Sequence, residues 1–454
     1  MTPPSKSDPI IIVGAGAFGL STALHLAQAG YRDVTVFDKG AEIPSPFSAA
    51  NDLNKILRAE YEDEFYTNLA VEALKAWKTP LFAPHYHQTG FLHCVSGEAP
   101  QKAIDTLDRF RAAAERHPEV SQHVVPIDGR EDVVRAAWQL QDGPLPGWKG
   151  YLNRFDGYAH SSNALKAVHV ACVALGVRFL LGEAGDVAEI VYEPATAATA
   201  MQDPQKKKGE RRATGVRNRR GATYHADTVV VAVGAAAAGL VPSLGTQIVA
   251  KSWSVAHVQL TGEEASALRG IPVTYARDLG FLFEPEPGSG LLKVCPMGGG
   301  YVNTDARTGV SAPPTTTTES RLGFMPAADE ARARRLLAQT FPALAARPFV
   351  GAALCWFADA DGSDFVVDFV PGAPNVLLLS GDSGHGFKMF PLVGGWARDL
   401  LEHPAQRQEN PLWRWKEPAT ATSAAASWGA DVSWRLGSAE EFRDIRPSPP
   451  KAKL

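Results

Sequence analysis

The chain has 454 residues, 45% of them hydrophobic, enough to bury a large core spread over two or three domains. Forty-five basic residues stand against forty-nine acidic ones, a formal net charge of -4, so the basic footprint of a nucleic-acid partner is excluded and small-molecule chemistry is expected. Four scattered cysteines, Cys94, Cys172, Cys295 and Cys355, lack CxxC spacing, which argues against a metal site or a disulfide framework and for a reducing compartment.

In chain order, residues 9–40 read as an apolar strand, a glycine turn, an amphipathic helix with Leu20, Ala23, Leu24 and Leu26 at helical spacing, and a second strand, VTVFD. HSSNALKAVHVACVALG (160–176) predicts a Ser-capped helix followed by the strand VRFLL. The Ala/Lys/Arg-rich stretch 194–212 reads as an exposed hairpin insertion without chemistry. DTVVVAVG (227–234) has the β-branched run of a buried parallel strand entering a turn. Alternation in SWSVAHVQL and GFLFEPEPGSGLLKVCP predicts antiparallel strands, and residues 328–341 an amphipathic helix. Residues 374–402 return to strand, glycine loop and helix. No apolar run reaches the roughly 20 residues that span a bilayer.

Gly14, Gly16 and Gly19 form a GxGxxG between a strand and a helix, the context in which glycines allow close backbone approach to a pyrophosphate. Asp38 ends the second strand, where a ribose-binding carboxylate belongs. The fingerprint alone does not separate NAD from FAD. Its N-terminal position, with further strand-plus-glycine elements near 227–234 and 374–386, favours FAD over a nicotinamide dehydrogenase. The expected fold is α/β. A Rossmann-like, glutathione-reductase-like FAD-binding domain is expected from residues 1–90, 157–240 and 351–405. A mixed antiparallel-sheet and helix substrate domain is expected from 91–156 and 241–350, and 406–454 forms a tail.

GAALCWFADADGSDF (351–365) leaves two readings of Cys355, a packed core thiol or an anchor for something bound. Trp356 and the nearby aspartates read as packing and turn residues. VGAGAFGLSTALHLAQAG, SAANDLNKILRAEY (48–61), GSGLLKVCP (288–296), LCWFADADGSDF (354–365) and SGDSGHGFKMFP (380–391) together resemble the flavin-dependent amine oxidases of the monomeric sarcosine oxidase and fructosyl-amino-acid oxidase (amadoriase) type. The resemblance runs to about residue 402.

It implies FAD held covalently on Cys355 as an 8α-S-cysteinyl thioether. The implied cofactor-binding set is Gly14, Gly16, Phe18, Gly19, Asp38, Lys39, Ser48, Asn51, Lys55, Val187, Gly384, Gly386, Phe387 and Lys388. Lys293 is implied as the residue that promotes reaction with O2, with Lys55 also beside the flavin, and Arg58 and Lys388 as carboxylate ligands. By residue chemistry alone, Lys55 and Arg58 also suit surface salt bridges with Glu60, Glu62, Asp63 and Glu64.

One position departs from the pattern. Met297 stands where amadoriases carry a glutamate and sarcosine oxidases a histidine, which disfavours fructosyl amino acids and suits apolar or aromatic surface. The implied activity is oxidation of an N-methyl or N-alkyl amino acid to an imine with release of hydrogen peroxide. Oxidative cyclisation of an N-methylated aromatic amino acid, or a flavin-binding protein without turnover, are the alternatives. The expected partners are the amine and O2, in a monomer or weak homodimer, with no nucleic acid and no membrane. The terminal Ala452-Lys453-Leu454 resembles a receptor-read peroxisomal address, with the cytoplasm as the alternative location.

Overall fold

Ile10–Val13, buried at every position, lies inside a six-stranded sheet with strand order Val366–Phe369, Val376–Ser380, Thr228–Val231, Ile10–Val13, Val34–Asp38, Arg178–Leu181. All neighbours are parallel except the antiparallel edge strand Val366–Phe369. Helix Ala17–Gln28 packs on this sheet through Leu20, Ala23 and Leu24. The computed structural model describes residues 3–193, 210–314, 323, 325–404, 408–416 and 435–445. Among these, no helix is long and apolar enough to cross a membrane.

Two glycines set the entry to the first helix. Gly14 has φ +106°, and a Cβ there would stand 2.3 Å from the carbonyl oxygen of Ala232. A Cβ on Gly19 would stand 1.8 Å from the Gly14 carbonyl oxygen, so the third glycine seats the helix against the loop.

A ten-stranded sheet forms the second layer. Its long strand Ile248–Gln259 pairs antiparallel with Phe349–Ala360, Trp253 opposite Cys355, and with Leu291–Pro296, His257 opposite Lys293. Directly opposed residues share a face of a sheet. The register therefore carries Lys293 and Cys355 to the same face from strands on either side of a common neighbour. Alternation does the rest: Lys293 and Cys295 face the cavity described below, while Leu292 and Val294 are buried in the apolar core.

Three expectations need correction. Residues 351–360, expected on the cofactor side of the division, hydrogen-bond into the ten-stranded sheet. Gly351, Ala352 and Ala353 have little strand propensity, and pairing with 248–259 imposes the extended form. The helix Ser161–Ala174 is not Ser-capped: its N-cap is His160, without a side-chain cap. Ser161 Oγ instead donates to the Asp52 carbonyl at 2.7 Å and Ser162 Oγ to Asn51 Oδ1 at 2.8 Å, which pins the 51–55 segment. The described residues after 405 also join the body, because Glu440–Glu441 pairs in parallel with Tyr301–Val302 and the Trp413 ring packs against Trp396 with centroids 4.3 Å apart. Of the expected insertion, 194–209 lies outside the described residues, as do residues 452–454.

Candidate active site

A cavity of about 790 Å³ runs from the glycine loop to the strands of the second sheet. Every residue expected to hold cofactor or substrate lines it except Gly19 and Gly386. Gly19 serves helix packing, as described above. A Cβ on Gly386 would lie 2.8 Å from Asp382 Cβ and 2.9 Å from Phe18 Cζ, so this glycine lets the 381–388 loop close over Phe18.

At the glycine-loop end, Asp38 fixes the backbone. Its Oδ2 accepts from Ala15 N at 2.8 Å and its Oδ1 from Gly40 N at 2.7 Å. The positive end of the Ala17–Gln28 helix opens towards this part of the cavity, where Gly16 and Ala17 line it. Such an end suits an anionic pyrophosphate.

The middle of the cavity holds a charge cluster. Asp52 Oδ2 accepts from Lys293 Nζ at 2.5 Å and from Lys55 Nζ at 2.8 Å. Lys293 also donates to the Asn54 carbonyl at 2.8 Å, and Lys55 to Cys355 Sγ at 3.7 Å. Burial opposes the charge on Asp52, but the two ammoniums outweigh it and hold the carboxyl well below the usual range. Lys55 is raised above the ordinary lysine value because Asp52 and Cys355 overcome its burial. Two cations on one carboxylate leave the cluster a single net positive charge.

Several buried polar atoms on this wall have no protein partner among the described residues: both amide atoms of Asn54, Trp253 Nε1, His257 Nε2 and Trp356 Nε1. Unsatisfied buried donors and acceptors are costly, so the wall is built for a polar ligand. Gly351 and Ala353, on the Cys355 strand, add little bulk, which leaves room for a flat ring system. Gly384, at φ +72°, has room for no Cβ because Trp253 Cζ3 would be 2.5 Å away. These features fit a flavin nucleotide.

The far end combines cations with aromatic rings. Arg58 and Lys388 both lie over the Tyr61 ring, at 4.5 and 4.4 Å from its centroid. Lys388 Nζ donates to Tyr61 Oη at 2.7 Å, and Tyr61 donates onward to His385 Nδ1 at 2.9 Å. Burial, with the charge of Arg58 added, pushes Lys388 well below the ordinary lysine range. Met297 is packed with Phe91, Tyr275 and Phe283 and carries no charge into the cavity.

Surface bridges from Lys55 and Arg58 to the acidic run are the alternative reading, but Lys55 pairs instead with Asp52. Glu60 is fully buried and accepts from Tyr151 Oη at 2.8 Å and Asn153 Nδ2 at 3.1 Å. Glu62 pairs with Arg109 at 2.9 Å, and Asp63 caps helix Glu64–Ala76. Arg58 instead donates to the Glu60 carbonyl. Trp356 both packs with Ala235, Ala250 and Phe442 and lines the cavity, whereas Asp359 is no turn residue: it lies in the strand Phe349–Ala360, buried in ion pairs with Lys251 and Arg435.

Sequence reasoning passed over Asp52, Tyr61, Arg277 and Cys295, all of which lie at or beside the cavity. Asp52 had a local signal, since it stands three residues before Lys55. Arg277 had none, because it reaches the cavity only through the pairing of Val273–Ala276 with Phe91–Val95.

A strand–glycine–helix unit, a buried cluster of lysines and a long cavity between two sheets suit a dinucleotide cofactor. Residues 9–400 match the FAD dependent oxidoreductase (DAO) family, and the chain belongs to that family. It is 32% identical over 441 residues to L-saccharopine oxidase of Schizosaccharomyces pombe, covering 94% of this chain and 96% of that one. It is 23% identical over 397 residues to the peroxisomal sarcosine oxidase of Mus musculus, covering 85% and 89% of the two chains. Among solved structures, the fructosamine oxidase of Aspergillus fumigatus (Amadoriase II), in complex with FSA, superposes with a TM-score of 0.85 at 31% identity, over 99% of both chains.

Proposed function

We propose that the protein oxidises a secondary amine of amino-acid type to an imine, with O2 as the acceptor and hydrogen peroxide as the second product. The observation that carries this reading is the convergence of Arg58 and Lys388 on Tyr61, in the cavity that also holds the Lys55–Asp52–Lys293 cluster. The FAD-dependent family and the similarity to L-saccharopine oxidase and sarcosine oxidase support it.

Arg58 and Lys388 bind the substrate carboxylate. An arriving anion opposes the burial and the Arg58 repulsion that lower Lys388, and so favours its charged form. That anchor fixes the carbon next to nitrogen relative to the charge cluster, and positioning of this kind is a main source of rate. The bound flavin supplies the two-electron acceptor. The amine gives up two electrons and two protons, and O2 takes up the same number to form peroxide. Lys293, held by Asp52 and the Asn54 carbonyl, presents the net positive charge of its cluster where reduced oxygen develops negative charge. Cys355 Sγ, contacted by Lys55, is the proposed covalent anchor of the cofactor.

Met297 and its aromatic neighbours disfavour a sugar hydroxyl or ammonium at that wall, so fructosyl amino acids are expected to be poor substrates. The same rings, Phe91, Tyr275 and Phe283, favour as a second reading an N-methylated aromatic amino acid, whose ring would then attack the imine. A peroxide-coupled screen of N-methyl amino acids, pipecolate, saccharopine and fructosyl amino acids tests the proposal. Peroxide is expected from carboxylated secondary amines and not from their decarboxylated counterparts. Equal rates with and without the carboxylate, or no peroxide from any amine, would overturn it.

A further inference from the structure

Beyond the pair that serves one carboxylate and the Lys55–Lys293 cluster, the cavity carries a further cation beside that pair. Arg277 lines it and is 2% exposed. Its guanidinium lies over the Phe110 ring at 5.4 Å from the centroid, and Arg58 lies over the same ring at 4.6 Å. The three cations therefore alternate with two rings in the order Lys388, Tyr61, Arg58, Phe110, Arg277. The rings face the cations with their negative π surfaces and separate the like charges.

Arg277 is also aimed. Its Nη1 donates to His93 Nε2 at 3.2 Å. Arginine has no acceptor, so Nε2 must accept and the ring proton sits on Nδ1. Nδ1 then donates to Tyr151 Oη at 2.8 Å, and Tyr151 donates to Glu60 Oε1 at 2.8 Å. Burial and the charges of Arg277 and Arg58 keep His93 neutral, in the form this relay needs. The relay fixes the guanidinium through three buried side chains, none of which is a mobile surface group. Tyr275, Phe281 and Phe283 add an apolar wall beside it.

We infer that the preferred substrate carries a second acidic group, on the substituent of the amine nitrogen or on the side chain, and that Arg277 binds it. The substrate class is then an N-(carboxyalkyl) amino acid or a similarly diacidic secondary amine, its methylenes lying along the aromatic wall. This inference rests on the proposed amine oxidation. One planar carboxylate is matched by Arg58 and Lys388 on Tyr61, whereas Arg277 belongs to the next ring and would meet a separate anion.

The test compares each of a series of N-(carboxyalkyl) amino acids, with linkers of increasing length, with the same compound amidated at the distal carboxylate. The holoenzyme and its Arg277→Met and Arg277→Lys variants are used. For the best linker, amidation is expected to lower kcat/KM on the order of a hundredfold in the wild type, the scale of a lost buried charge pair. In Arg277→Met the acid and the amide should differ by less than about threefold, and the loss on the acid should be far larger than the loss on a simple N-methyl amino acid. Arg277→Lys should restore part of the preference for the acid. Equal use of acid and amide by the wild type at every length would overturn the inference, as would equal losses on all substrates in Arg277→Met. The wild-type comparison needs no variant and stands if Arg277→Met does not fold. If no compound, N-methyl amino acids included, bleaches the bound flavin, the amine oxidation itself fails, an outcome distinct from turnover without acid preference.

Discussion

Replacing Asp52 by Asn keeps the shape of the side chain and removes the charge that joins Lys293 to Lys55. The magnitude follows from burial and distance. The Lys293 arm is 2.5 Å long with side chains 3% and 10% exposed, whereas Lys55, 2.8 Å away, is 22% exposed. Breaking a buried pair by removing one partner costs about 3–5 kcal/mol, and the more exposed Lys55 arm adds no more than about 1 kcal/mol. Asp52→Asn is therefore expected to lower stability by about 4 kcal/mol, read by urea unfolding of the holoenzyme. Lys293→Met in the same background should recover part of that loss, because the stranded cation is gone. A double-mutant cycle should then show a coupling of about 2–3 kcal/mol. Additivity of the two single changes within about 0.5 kcal/mol would refute the idea that these charges act as one unit.

Three further outcomes follow from the geometry. Flavin should stay on the polypeptide after denaturation of the wild type and be released from Cys355→Ala; release from both would remove the thioether, and retention in the variant would move it to another residue such as Cys295, which also lines the cavity. Lys293→Met should slow reoxidation by O2 at least about a hundredfold while slowing anaerobic reduction far less, in line with the loss of one preorganised charge; equal slowing of both half-reactions would end its assigned role. Burial, together with the neighbouring Asp359, raises Asp382 to about 6. Its carboxyl titrates near 3.9 in the unfolded chain, so between about pH 4 and 6 the folded state binds the extra proton and stability falls as pH rises, by roughly 3 kcal/mol across the window. Asp382→Asn should flatten that slope in unfolding measurements made at several pH values, and an unchanged slope would assign it to another group.

What could be read from the chain was local. The glycine loop declares itself because Gly14 and Gly19 are required by contacts within the same strand–turn–helix unit. Lys293 stands out because a charged residue interrupts an alternating apolar strand whose other face is core. Partners that meet through folding were not readable. For Lys55 the acids that follow in sequence are Glu60 to Glu64, yet Asp52 is its partner and also holds Lys293, while Tyr151 and Asn153 occupy Glu60 from a strand more than ninety residues away in sequence. The Cys355 strand is extended through pairing with residues 248–258, and its own glycine and alanines give little sign of it. Arg435 reaches Asp359 and the Ser383 carbonyl from the far end of the chain, a contact that no local pattern announces.

Amine oxidation is decided by mixing the purified protein with a carboxylated secondary amine in the absence of air and then admitting O2. The visible flavin band is expected to bleach on mixing and to return with O2, with hydrogen peroxide formed in proportion to the flavin reoxidised. Lys388→Ala is expected to need a much higher amine concentration for the same bleaching rate. A flavin band that persists with every carboxylated amine, or that bleaches at an amine concentration unaffected by Lys388→Ala, would contradict this reading.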